Sequence, residues 1–299
     1  MKYNLLGFIG VCLVSLVACN NNDNVQTTTS ADTLVTNTET KTTDMEKAKI
    51  NGPAGTLFVD DGGSGGIPIL FVHSFGGDTH QWDNQLAYFR KERRAIAMDM
   101  RGHGQSDAPF GNQYDIKEEA KDIEAVVDSL HLTRFVLVGH SMGGAASIAY
   151  ASEHPELVTG LVLTGTPGRV PKEQAKSVMA SLEADSSYQK IMDGYMEKLL
   201  TNAKPDVVAQ VNKGVNKLSK DASVSLIRAN FEFDPVPALK KYKGPVLLIS
   251  ADGDNQPGSL HQLFPAIPQV IIPGTSHWVQ LDKPAEFNKT LNEFLKKIN

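Results

Sequence analysis

The body of this chain lacks cysteine. Of 299 residues only Cys12 and Cys19 carry a thiol, and none follows residue 19. A disulfide scaffold, a Cys-ligated zinc site and a catalytic thiol are thereby excluded downstream. A surplus of positive charge is missing too. The 29 Lys and Arg against 34 Asp and Glu leave a net charge of −5. No basic surface of the kind that binds nucleic acid is expected. Apolar runs long enough to cross a bilayer are also lacking. The mostly apolar stretch from Leu5 to Ala18 has 14 residues, short of the ~20 that about 30 Å of hydrocarbon requires. What remains is 41% hydrophobic and 21% charged, a globular composition that excludes wholesale disorder and collagen.

The Leu5–Ala18 run follows Lys2 and reads as the apolar region of a secretory signal. It ends in Leu16-Val17-Ala18-Cys19, which resembles the bacterial lipobox. That resemblance implies removal of residues 1–18 and lipidation of Cys19 as the first mature residue. The alternative is an ordinary signal peptide with a chance cysteine. Residues 19–50 are rich in Asn and Thr and poor in large apolar side chains. They cannot bury enough surface to fold, so a flexible tether is expected. About 30 residues of coil reach roughly 30 Å. The expected location is the bacterial cell envelope, with the protein exported and held on the membrane by its lipid.

From residue 51 to 299, apolar runs alternate with helical patterns. Strands are expected at Thr56–Val59, Ile69–Val72, Ala95–Met98, Phe135–Val138, Leu161–Thr164, Val246–Ser250 and Gln269–Ile272. Helices are expected near 115–130, 142–153, 258–264 and 284–298. The fold class is α/β: a mainly parallel central sheet covered by helices. Residues 168–241 break the alternation and read as three or four short helices. They fall between two strands at the carboxyl end of the sheet, where open α/β sheets bind ligands. A helical cap is expected there.

Gly139-His140-Ser141-Met142-Gly143 matches G-x-S-x-G. The pattern alone is weak, but a buried strand runs into it and a helix runs out. Such a sharp turn strains its central residue and pushes the Ser141 hydroxyl into the open. Flanking glycines have no β-carbon to clash. The helix N-terminus behind it favours developing negative charge. GHSMGG after a strand, HSFGG at 73–77 and DMRGHGQSD at 99–107 together resemble the α/β-hydrolase superfamily. The resemblance covers about 53–299, and the members most similar are capped esterase, lactonase and perhydrolase-type enzymes.

Attack by Ser141 creates an oxyanion that needs preorganised donors. The Met142 N–H, next to the nucleophile, is one candidate. The family pattern His-Gly-x implies Phe75 as the other. Here Ser74 stands where the family usually has Gly, so Ser74 is the fallback donor. His73 is read as shaping this loop. Of eight histidines, His277 has the context of a general base, on a loop after the last strand in the order Ser…acid…His. His140 is adjacent to the nucleophile, and adjacent residues on an elbow point apart. The acid follows the strand 246–250. The family's Gly-x-x-Asp implies Asp254, with Asp252 as the alternative.

These residues point to a serine hydrolase of carboxylic esters that needs no metal or organic cofactor. A serine nucleophile argues against the dehalogenase and epoxide-hydrolase branches. Lactonase, thioesterase and perhydrolase chemistry stay open, as does a binding protein that has lost turnover. Met179, Met192, Met196, Phe231 and Phe233 in the cap suggest a small or medium apolar acyl group.

Overall fold

The computed structural model describes residues 46–298. The expected signal peptide at 1–18, Cys19 and most of the expected tether lie outside the described residues. Eight strands form one sheet: β1 (Glu46–Gly52), β2 (Gly55–Gly62), β3 (Ile69–Val72), β4 (Ala95–Met98), β5 (Phe135–His140), β6 (Val158–Thr164), β7 (Val246–Ser250) and β8 (Gln269–Ile271). Their spatial order is β1-β2-β4-β3-β5-β6-β7-β8. From β4 to β8 every pairing is parallel, while β1–β2 and β2–β4 are antiparallel.

The central strands are continuous apolar runs because both faces are covered. Alternation divides each run between two cores. Leu70 and Val72 face one core with Ile96, Leu137 and Leu161. Ile69 and Phe71 face the other with Ala97, Val136 and Val162. Helices α1 (Asp83–Phe89), α2 (Ile116–Ser129) and α3 (Met142–Glu153) follow β3, β4 and β5. Helices α2 and α3 supply Ile123, Val126 and Ile148 to the first core. Leu86 and Phe89 of α1 enter the second.

Five helices, not three or four, fill the stretch between β6 and β7. They are α4 (Lys172–Glu183), α5 (Asp185–Leu199), α6 (Pro205–Val215), α7 (Lys220–Glu232) and α8 (Pro235–Lys241). Pro205 and Pro235 open their helices at positions where no amide bond is lost. Ser219 caps α7 by accepting from the Ala222 N–H at 3.1 Å. After β7 come α9 (Leu260–Leu263), α10 (Val279–Asp282) and α11 (Pro284–Ile298).

The folded body begins earlier than expected. Residues 46–50, read as the end of the tether, belong to β1, paired with β2 from Glu46↔Asp61 to Gly52↔Gly55. Its sequence, EKAKING, is that of an edge strand, with exposed lysines and one buried apolar residue, Ile50. Helices α1 and α10 were also unexpected; at seven and four residues they are too short to show a period.

Candidate active site

Strand β5 ends at His140 and α3 starts at Met142, which leaves Ser141 on the turn with φ 52° and ψ −117°. A side-chain-bearing residue held there costs about 1–3 kcal/mol, so its surroundings must impose it. The Ser141 N–H donates to the Thr164 carbonyl of β6 at 2.9 Å. Its own carbonyl accepts from Gly144 and Ala145 at 2.9 and 3.1 Å. A β-carbon on Gly143 would collide with the His73 carbonyl. The elbow and the loop after β3 therefore touch backbone to backbone.

That loop is fixed from below. The buried His73 ring accepts the Met100 N–H at Nε2, 2.9 Å away. Its proton is thus on Nδ1, which lies 2.7 Å from the Ser74 carbonyl. Burial holds the His73 pKa below its ordinary value and keeps the ring neutral. The Gly77 N–H donates to the same carbonyl at 2.9 Å. In a planar trans peptide the N–H points opposite to the C=O. Holding the Ser74 carbonyl thus aims the Phe75 N–H away from it. Among the described residues, neither the Phe75 N–H nor the helix-initiating Met142 N–H has an acceptor.

His277 Nδ1 lies 3.1 Å from Asp254 Oδ1. Asp254 Oδ2 accepts the Ala251 N–H at 2.8 Å, which orients the carboxylate. Asp252 turns elsewhere: its Oδ2 accepts the Gly274 N–H at 2.9 Å. With Nδ1–H donating to Asp254, His277 Nε2 keeps a free lone pair. The backbone around His277 is held on both sides. Its N–H donates to the Leu199 carbonyl at the end of α5 (3.0 Å). Its carbonyl accepts from His140 Nε2 at 3.0 Å. Gly165 admits the ring, since a β-carbon there would lie 2.5 Å from His277 Cε1.

Ser141, His277, Asp254, Phe75 and Met142 all line one cavity of about 290 Å³. Its outer wall comes from the helical insertion and the β6 and β7 loops, with Leu199, Ile227 and Phe231 as apolar surface. Met179 and Met192 instead pack into a small core within the insertion. Met196 packs with Val207, Val211 and Trp278. Phe233 packs on the main core. The apolar residues expected in the pocket are therefore structural, except Phe231. Two cations line the cavity instead, Arg169 and Lys198. Arg169 pairs with Asp234 at 2.6 Å. Lys198 has no carboxylate partner among the described residues.

Several contacts around the site have no signal in the sequence. His140, fully buried, accepts from Gln280 Nε2 at 3.1 Å while donating to the His277 carbonyl. Burial keeps its pKa well below the usual value. Ser74 and Trp278 are hydrogen-bonded 204 positions apart. No spacing in the sequence signals such pairs. Asp99 and Arg101 make structural contacts. Asp99 accepts from the Thr79 and Gln105 amides at 2.6 and 2.8 Å. Arg101 makes a buried bidentate pair with Asp122 at 2.6 and 2.8 Å.

Residues 67–217 match the family model described as alpha/beta hydrolase fold. The chain belongs to the α/β-hydrolase family. It is 26% identical over 256 residues to 2-(acetamidomethylene)succinate hydrolase of Mesorhizobium japonicum, covering 80% of this chain and 91% of that protein. It resembles the enol-lactonase of Burkholderia xenovorans at a TM-score of 0.72 and 25% identity, covering 83% of this chain and all of that one. A thermophilic esterase from Thermogutta terrifontis shares the fold at a TM-score of 0.74 and 24% identity, over 85% of this chain and 99% of the other. Other relatives of this α/β hydrolase include a 3-oxoadipate enol-lactonase and an epoxide hydrolase, and also an acetyltransferase component and a synthase.

Proposed function

We propose that this α/β hydrolase is a lipid-anchored serine hydrolase of carboxylic esters. The observation that carries the reading is the Asp254–His277 hydrogen bond at 3.1 Å, in a cavity that Ser141 also lines. His277 Nε2 takes the Ser141 proton as Oγ attacks the acyl carbon. The Phe75 and Met142 N–H groups hold the oxyanion. The imidazolium, stabilised by Asp254, then protonates the leaving alcohol, and water repeats the cycle on the acyl-enzyme. The chemistry calls for no metal or cofactor. The insertion acts as a cap over the acyl group, whose apolar part sits against Leu199, Ile227 and Phe231.

Arg169 and Lys198 favour a substrate that also carries an anionic group. Likeness to a 3-oxoadipate enol-lactonase and to a hydrolase named for a succinate supports this reading. It also makes a lactone the second candidate beside an open ester. Cys19, after a signal peptide at 1–18, carries the lipid, and the tether runs from there to the body.

Incubation with a fluorophosphonate probe tests the activity. Wild type labels, and Ser141→Ala does not. A folded wild type without label would instead be a silent binding protein. In the same preparations Cys19→Ser leaves the membrane fraction or remains unprocessed. Unchanged membrane attachment rejects the lipid anchor.

A further inference from the structure

Ser74 stands where the related pattern has glycine, and the reaction gives its hydroxyl no step. Yet the side chain is 1% exposed and fully engaged. Its Oγ donates to Gln81 Oε1 at 3.1 Å and accepts the Trp278 Nε1–H at 3.2 Å. Trp278 and Gln81 are equally buried, at 1% and 2% exposure. Removing the hydroxyl would leave the indole N–H without an acceptor, an expensive state in a dry interior.

The three partners sit on segments that matter. Ser74 shares a peptide plane with the Phe75 N–H. Trp278 directly follows His277. Gln81 lies in the short helical turn Thr79–Trp82, under the same loop. We propose that Ser74 is a positioning residue that locks the loop bearing the Phe75 donor to the loop bearing His277. The His73 and Gly77 bonds already fix the Ser74 carbonyl. The side-chain bonds fix the other end of the residue, so the Ser74–Phe75 peptide cannot swing. A glycine here would keep the two carbonyl bonds but lose the side-chain link to Gln81 and Trp278. The serine sets the orientation of that peptide in advance, and sets it relative to the base.

The proposal rests on the serine-hydrolase reading, and its test separates the two. Removing an oxyanion donor outright costs about 10²–10³ in rate. Loosening its support in Ser74→Ala is expected to lower kcat about 10- to 100-fold, with KM within about 3-fold. Affinity for a boronic acid, which forms a tetrahedral adduct on the serine, falls by a similar factor. Trp278→Phe keeps a ring but removes the donor, and reproduces the kcat loss. The double variant is no worse than either single one, because both break the same link. Thermal melting checks that each variant is folded; Ser74→Ala, the smaller change, decides if Trp278→Phe does not fold. A kcat within about 2-fold of wild type in folded Ser74→Ala, or losses that multiply in the double variant, overturns the proposal while wild-type labelling leaves the hydrolase reading intact. Absence of wild-type labelling overturns both.

Discussion

The loops at the carboxyl edge of the sheet and the five-helix insertion meet at one cavity but are built differently. At the sheet edge, polar groups are buried and bonded to one another across long stretches of chain. His73, Ser74, His140 and Gln280 are each 1% exposed or less. Their partners are backbone groups and other buried side chains. In the insertion, charged side chains pair at the surface. Arg228–Glu183 and Arg169–Asp234 are about half exposed. Such pairs contribute roughly 0–1 kcal/mol. The apolar clusters of the insertion are small, with five buried residues each, and one of them borrows Trp278 and Leu281 from the body. Reaction geometry is thus held by the stiff region. The softer region shapes what enters.

The largest test of that division lies in the acid loop. Asp254→Asn is expected to lower kcat by about 10⁴, because the amide stabilises neither the required tautomer nor the imidazolium. Asp252→Asn, whose carboxylate caps Gly274, should change kcat by only a few fold. Steady-state kinetics on a nitrophenyl ester measures both. Equal or swapped effects would break the assignment of Asp254.

Much of the sheet edge was readable in advance. Continuous apolar runs marked β3 to β7 because those strands are covered on both faces. G-x-S-x-G marked the elbow because only small neighbours fit such a turn. The order Ser…acid…His of the resembling fold pointed to two loops, and His277 and Asp254 on them lie 3.1 Å apart. What could not be read depends on contacts between distant segments. Ser74 was visible as a departure, but its partner lies 204 residues away. Met179 and Met192 sat on helical stripes, and a stripe does not reveal whether it faces a neighbouring helix or a cavity. They face the insertion's own core. β1 escaped notice because an edge strand carries polar residues.

The next effect concerns acid. Among the buried histidines, His103 has its pKa pushed down to about 3, first by burial and then by neighbouring His73. Its ordinary value is 6.5. The unfolded chain therefore binds a proton at pH values where the folded chain does not. Above about pH 6.5 His103 is neutral in both states and adds no pH dependence. Below it, stability falls by about 1.4 kcal/mol per pH unit from this residue, or roughly 2 kcal/mol by pH 5. The exposed charges of the insertion add little to that slope. Urea unfolding at pH 7 and pH 5 reads it directly. His103→Asn should unfold more evenly across this range than wild type. An unchanged pH dependence in the variant would place the acid sensitivity elsewhere.

The smallest effect belongs to the insertion. Lys198 lies at the end of α5, beside Leu199, whose carbonyl holds the His277 N–H. Lys198 is exposed, so an ion contact with substrate should be worth about 0.2–1 kcal/mol, a factor of roughly 1.4 to 5. Lys198→Ala is expected to raise KM by that factor for an ester bearing a carboxylate, and to leave a neutral ester of equal length unaffected. kcat should stay unchanged for both, because the backbone bond from His277 to Leu199 survives the substitution. Raising the salt concentration should shrink the wild-type preference toward the variant's. A fall in kcat for both esters would mean that the Lys198 side chain, and not only the Leu199 carbonyl, steadies the base. The boundary between a stiff reacting edge and a soft selecting wall would then fall inside α5.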